Sequence, residues 1–430
     1  MILSITISAA TCLAMILAVL FYPKINIGRV SFGSYWVVTL LGAILLLATG
    51  AVDVRVVADA LFADTAINPL KILVLFISMT LLSIYLDELG FFRYLASATL
   101  KRAGCSQTRL FFILYITVSV LTVFTSNDII ILSFTPFICY FAKNAHISPL
   151  PYLAAEFVAA NTWSMALIIG NPTNIYLVTA AGGDFVSYLR TMLLPTLASG
   201  TVALVCLYLV FRKKLSAPMQ ATPEDIKISD RVALTVGIVH LAVCTVLLAI
   251  GSYIGLDMWL VSLVSALSLL SFTVVLSLVR KEAPVHTVAS LRRAPWELIP
   301  FILSMFVVVE SLHANGVTDY LFGFLNTSAP VWSYGITSFV AANLINNIPM
   351  SVLYSAILWG GATQAAVYAT VVGSNLGACL SPIGALAGIM WSSILKKHDL
   401  KFGYFDFLKI GITIALPALI AALGVLHFMF

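Results

Sequence analysis

Long apolar runs set the rhythm of this chain. They fall at about 3–22, 34–52, 69–92, 150–182, 185–211, 232–254, 258–279, 296–325, 363–395 and 404–428. A helix crosses the hydrocarbon core of a bilayer with roughly 20 apolar residues, and most of these runs reach that length. Two further stretches, about 110–142 and 330–360, are equally apolar but carry polar residues at their centres. A membrane β-barrel would alternate apolar and polar positions in segments of roughly 10 residues, and the runs do not keep that period. The pattern predicts an all-α polytopic membrane protein with about ten transmembrane helices and two re-entrant hairpins. The interrupted stretches are the hairpins, each entering and leaving by one side.

Composition agrees with this reading. Of 430 residues, 61% are hydrophobic and 10% charged, with a mean hydropathy of +1.05. Soluble domains carry roughly a quarter charged residues, so the bilayer is the expected solvent. The run Ile2 to Tyr22 has no basic residue ahead of it and no small-residue cleavage site behind it, and reads as a retained first span. Six scattered cysteines (Cys12, Cys105, Cys139, Cys206, Cys244, Cys379) suggest packing rather than a metal knuckle or redox pair.

Charge then orients the spans. With both hairpins re-entrant, twenty Lys and Arg residues fall in loops on one side, including Lys24, Arg29, Arg93, Lys143, Lys396 and Lys401. Only Arg55, Lys71 and Arg190 fall on the other. Positive residues stay cytoplasmic, so both termini are expected outside an inner (plasma) membrane. The one long polar stretch, 212–231 (RKKLSAPMQATPEDIKISDR), reads as a cytoplasmic linker. It separates a first repeat, 1–211 with hairpin 110–142, from a second, 232–430 with hairpin 330–360. Five spans per half is an odd number, which turns the second repeat upside down relative to the first. Inverted repeats are a common construction of secondary transporters. DELGFFRYL (87–95) faintly answers ANGVTDYL (314–321), pairing Gly90 with Gly316.

The chemistry concentrates where polar residues interrupt the apolar pattern. The four sites are Thr125-Ser126-Asn127-Asp128, Gly170-Asn171-Pro172-Thr173-Asn174, Asn343 with Asn346-Asn347, and Gly373-Ser374-Asn375 running on to Ser381-Pro382. They pair as a hairpin tip and a broken helix in each half. Irregular backbone survives at membrane depth only inside protein or along a wet cavity. A broken helix offers free N–H groups at one end and free carbonyls at the other, which suit anions, hydroxyls or cations. Ser, Thr and Asn also glue membrane helices together, but four clusters in matching order favour a binding site. The substrate-binding candidates are Asn127, Gly170, Asn171, Thr173, Asn174, Asn346, Asn347, Ser374, Asn375 and Ser381. Asp128, with Ser126, is the candidate for proton or cation coupling, because an acid at membrane depth is costly and usually functional. Asn161, Glu156 and Asn343 are second-tier candidates. Glu310 reads as an acid near the outer end of its span, and Asp87 and Glu88 as surface partners of Arg93.

The six histidines are dispersed, and the chain has no HExxH, Cys/His cluster or phosphate-cradling glycine loop. Neither an enzyme nor a nucleotide-driven machine is indicated, and no cofactor, resident metal or nucleic-acid partner is expected. Na⁺ at Asp128 is the one cation admitted. A channel needs continuous polar lining, whereas polarity here is confined to paired breaks. The expected partners are a small-molecule or ion substrate and membrane lipids.

The runs LDELGFF (86–92), SNDIIILSFTPF (126–137), RRAPWELIPFILSMFVVV (292–309), NNIPMSVL (346–353) and VVGSNLGACLSPIGALAGIMW (371–391) resemble those of ArsB-type arsenite permeases. The resemblance runs in order over nearly the whole chain. GNPTN (170–174) is more similar to the broken helix of sodium-coupled dicarboxylate and sulfate symporters in the same ion transporter superfamily. The resemblance implies proton-coupled efflux of arsenite, antimonite or a similar hydroxylated solute, with sodium-coupled uptake of an anion such as a dicarboxylate or sulfate as the alternative. It matches Asn127 and Asp128 to one hairpin tip, Asn346 and Asn347 to the other, and Asn375 and Ser381 to the second broken helix. It also implies acids where this chain has Asn161 and Asn375. A homodimer is compatible with it, and a soluble ATPase partner enters through it alone.

Overall fold

The computed structural model describes the chain apart from residues 23, 28–29, 64–67, 181, 220–225, 229, 360 and 401. Arg29 and Lys401 of the charge count, and residues 220–225 and 229 of the expected linker, therefore lie outside the described residues. The first half contains α1 (Ile2–Phe21), a two-stranded antiparallel ribbon of β1 (Lys24–Ile27) and β2 (Val30–Gly33), α2 (Ser34–Ala48) and α3 (Val54–Phe62). It continues through α4 (Pro69–Glu88), α5 (Phe91–Ala103), α6 (Gln107–Phe124), α7 (Asn127–Asn144), α8 (Leu150–Trp163), α9 (Pro172–Ala180) and α10 (Phe185–Leu215). The second half contains α11 (Arg231–Ile254), α12 (Met258–Val279), α13 (Val285–Arg293), α14 (Leu298–Ala314), α15 (Val317–Leu325) and α16 (Pro330–Ile345). It ends with α17 (Asn347–Leu358), α18 (Gln364–Gly377), α19 (Leu386–Lys397), α20 (Tyr404–Ile410) and α21 (Leu416–Met429).

The protein is an all-α polytopic membrane protein: among the described residues, eight helices are long and apolar enough to cross a bilayer. The expected runs 150–182 and 363–395 are each split, at 164–171 between α8 and α9 and at 378–385 between α18 and α19. The run 34–52 yields only the fifteen residues of α2. The hairpin arms α6 and α7 have eighteen residues each, about 27 Å of helix, and so approach the full hydrocarbon thickness.

Local chemistry sets the breaks. Thr125 and Ser126 are extended, and Ser126 Oγ caps α7 by accepting from Asp128 N at 3.3 Å. Asn346 closes α16 with φ +71° and caps α17 by accepting from Ile348 N at 3.2 Å. Gly170 has no room for a side chain, since a Cβ there would lie 2.3 Å from the Ser164 carbonyl oxygen. Gly90 and Gly316 occupy equivalent places, each left-handed at the start of a short helix, α5 and α15.

Both arms of the first hairpin open at one end of the molecule. Tyr152 of α8 bonds Gln107 of α6 and packs on Phe141 of α7, and Thr108 bonds the Leu215 carbonyl where α10 ends. The second hairpin opens where α10 begins: Tyr334 packs on Tyr354, and Tyr368 at the head of α18 packs on Tyr188 of α10. The packing exchanges partners in the same way. In the first half α6 packs on α8 and in the second α16 on α18; between halves α7 meets α19 while α17 meets α9, and α2 meets α14 while α12 meets α4. Asp87 and Glu88 of α4 do not pair with Arg93. Arg293, at the end of α13, reaches Asp87 Oδ2 at 2.7 Å and also binds Glu88, because α13 packs across the end of α4.

Candidate functional site

The two broken helices meet through Asn375. Its Oδ1 accepts from Ser164 Oγ and from Asn171 Nδ2, both at 2.9 Å. Its Nδ2 donates to Asn174 Oδ1 at 2.7 Å and to the Val371 carbonyl at 2.8 Å. One amide thus uses both lone pairs and both N–H groups, and joins α18 to the break between α8 and α9. Asn174 Nδ2 in turn donates to the carbonyls of Ser164 and Leu167 in the break, at 2.8 and 3.2 Å; the Leu167 carbonyl also accepts from Gly170 N at 3.1 Å. Asn171 Oδ1 accepts from Thr173 N at 3.1 Å. Asn161, one turn earlier on α8, accepts from Asn127 Nδ2 at 3.1 Å and so ties the first hairpin tip to this cluster.

A second cluster surrounds the other tip. Asn346 Nδ2 donates to the Ile383 carbonyl at 2.8 Å, and Asn347 N donates to the Gly384 carbonyl at 2.9 Å. Ser381 Oγ donates to Asn343 Oδ1 at 2.6 Å, while Asn343 Nδ2 donates to the Gly377 carbonyl at 3.0 Å. The last turn of α18 joins the two clusters, contributing Asn375 to one and Gly377 to the other. α9 packs between α17 and α18 and closes them together.

The expected residues thus form two linked networks of neutral amides and hydroxyls. Several buried oxygens in them have no partner among the described residues: Thr173 Oγ1, Ser374 Oγ and Asn347 Oδ1, with Thr162 Oγ1 and Tyr176 Oη nearby in sequence. Each would gain from a bond to a ligand hydroxyl or amide.

Asp128 stands aside from both networks. Its backbone N–H is held by Asn127 Oδ1 at 2.9 Å, but its half-buried carboxyl accepts no hydrogen bond among the described residues. It lies within electrostatic reach of Tyr35 on α2, whose hydroxyl donates to Glu297 at 3.1 Å. Glu156 is wholly buried, bonded by Thr135 of α7 and Trp391 of α19. Glu310 is half-buried on α14. Reading the sequence missed Ser164, a lone serine before the break, and missed Thr135 and Trp391, which are unremarkable within apolar runs. A cavity of about 380 Å³ runs beside α9, lined by Ile175, Thr179, Lys71, Asp257 and Trp259. A larger one, about 800 Å³, lies away from the amides at the corner of α11, α12 and α13.

A bilayer-spanning bundle with two interrupted helices closing on buried amides defines a membrane transporter rather than an enzyme. The family model described as "CitMHS: Citrate transporter" matches residues 33–371. The chain is 31% identical to the arsenical pump membrane protein of Escherichia coli K12, over 98% of each chain. It is 25% identical to the putative arsenical pump membrane protein of Bacillus subtilis, over 90% of this chain and 92% of that one. Its fold is similar to that of the Alcanivorax borkumensis YdaH transporter, with a TM-score of 0.58 at 13% identity, covering 99% and 98% of the two chains. The chain belongs to this transporter family, together with the arsenical pump membrane proteins.

Proposed function

We propose that the chain is a secondary transporter of the inner membrane that moves arsenite, antimonite or a similar small hydroxylated solute outward in exchange for protons. One observation carries the choice of solute. The networks around Asn375 and Asn346 hold only amides, hydroxyls and helix-end groups, and among the described residues no Lys, Arg or His side chain bonds to them. Such a site suits a neutral polyhydroxylated solute, which needs donors and acceptors but no counter-charge. In this reading Asn127, Asn171, Thr173, Asn347 and Ser374 contact the solute, Asn174 and Asn375 hold them in place, and Asp128 carries a coupling proton.

The transport cycle follows from an inverted repeat of 1–211 and 232–430. Support comes from the hairpins opening at opposite ends of α10 and from the exchanged packing of α7 with α19 and α17 with α9. Rocking one repeat against the other around a fixed midplane site would alternate access. The basic loops orient the linker 212–231 to the cytoplasm and both termini outward.

Purified protein in proteoliposomes tests the reading. Arsenite flux driven by a pH gradient without sodium, and lost in Asn375→Leu, is the expected result. Strict sodium dependence, or movement of dicarboxylate or sulfate with no arsenite flux, would transfer the site to anion uptake.

A further inference from the structure

A second polar centre lies apart from the amide networks. Glu156 of α8 is 0% exposed and sits five residues before Asn161, about 7.5 Å of helix rise toward the end where α8 begins. The Thr135 hydroxyl of α7 donates to its Oε1 at 2.8 Å and lies 3.1 Å from Oε2. Trp391 Nε1–H of α19 reaches Oε2 at 3.4 Å. The indole is held in turn by the rings of Phe157 and Phe407, with centroids 5.1 and 5.2 Å away. Among the described residues no Lys, Arg or His pairs with the carboxyl.

The neighbouring titratable groups supply no counter-charge. Cys139 of α7 is within electrostatic reach of the carboxyl. Tyr115 of α6 and Tyr188 of α10 donate elsewhere, to the Gly200 and Met165 carbonyls, each at 2.7 Å. Tyr368 of α18 packs on the Tyr188 ring, and Tyr152, one turn back on α8, bonds Gln107. Lys396 and Lys397 at the end of α19, and Lys143 at the end of α7, are exposed, while Asp128 lies seven residues before Thr135. Two neutral donors do not offset the cost of burying an isolated carboxylate. A hydroxyl can both donate to and accept from a carboxylic acid, so the same cage fits the neutral form.

We infer that Glu156 is a proton-binding site of the transport cycle. Its carboxylate takes one proton from water on the basic face and becomes the neutral acid that Thr135 and Trp391 enclose. The clasp joins the hairpin arm α7 of the first half to α19 of the second. Separation of α19 from α8 would admit water and release the proton, with no other bond made or broken. This inference rests on the transport reading above and adds a proton site beyond Asp128.

Infrared spectroscopy of the detergent-solubilised full chain, titrated with pH and without substrate, tests it. The protonated-carboxyl C=O band that grows on acidification should contain a component that is lost in Glu156→Gln and retained in Asp128→Asn. Glu156→Gln keeps an acceptor for Thr135 and Trp391, so its thermal unfolding should match that of the parent. In proteoliposomes the same variant should lose accumulation driven by a pH gradient, and Glu156→Asp should restore part of it. A pH-dependent band identical in Glu156→Gln and the parent overturns the inference, as does undiminished pH-driven flux in that variant. Failure of the parent to move arsenite would sink the solute assignment alone, and the infrared titration would still decide Glu156.

Discussion

At the scale of single residues, the molecule uses amides where charged groups would be too expensive. Asn375 satisfies four bonds with no net charge, so it can join two broken helices without a counter-ion. An aspartate there would lose its donation to Asn174 and Val371. Asn346 shows a different economy. With φ +71° and ψ 151° it occupies a region that only glycine enters freely, a strain of roughly 1–3 kcal/mol. Its side chain compensates by bonding Ile383 and Ile348. Asn346→Ala should therefore lose both bonds and keep the strain, whereas Asn346→Gly loses the bonds but relaxes the backbone. Thermal unfolding in detergent should rank the parent above Gly and Gly above Ala; Ala equal to Gly would show that the backbone there is unstrained. The polar residues at the tips were legible in the sequence because Asn and Ser stand out in apolar runs. The positive φ of Asn346 was not, since nothing local distinguishes it from Asn127.

At the scale of elements, caps and glycines decide where helices stop. α10 starts at Asp184, whose Oδ1 accepts from Val186 N at 2.9 Å and Ser187 N at 3.0 Å. Partial burial works against its ionisation, but the hydrogen bonds from Ser187 and Val186 outweigh that and hold the carboxyl below its ordinary range. A carboxyl lowered in the folded state stabilises at neutral pH, and that contribution fades as pH falls toward the lowered value. Asp184→Ala should thus cost about 1 kcal/mol near neutrality, and its unfolding curve should converge on the parent's in acid. A constant difference across pH would rule out the charged cap. Gly and Pro announced the two breaks, but at 170–174 and from 373 to 382; the structure places them at 164–171 and 378–385, with Pro172, Thr173 and Asn174 opening α9 and Gly373, Ser374 and Asn375 inside α18. The arms of the first hairpin approach the length of full spans, because the break at Thr125-Ser126 falls only after the eighteen residues of α6.

At the scale of the whole molecule, α4, α9 and α12 enclose a candidate path to the amide networks. The cavity of about 380 Å³ between them reaches Ile175, the residue after Asn174. It also contains Lys71, one of the three basic residues that the charge count puts on the outer side. If this is the outward path, a Thr179→Cys variant in a Cys105→Ser background should react with an impermeant maleimide added outside. Arsenite should slow that labelling. Labelling only from the cytoplasmic side would reverse the orientation deduced from the basic loops.

Burial in lipid constrains each segment by itself, and so the sequence alone determined the helical class, most of the spans and the two interrupted helices. Every backbone group at membrane depth must bond within its own helix or at a break, and both conditions leave local marks in residue type and spacing. The partnerships were decided only by tertiary structure. Asn375 with Asn171, Glu156 with Trp391 and Arg293 with Asp87 join residues more than 200 positions apart. Hydrophobic periodicity reports which face of a helix is buried but not what it is buried against. That choice belongs to the packing of one half of the chain on the other.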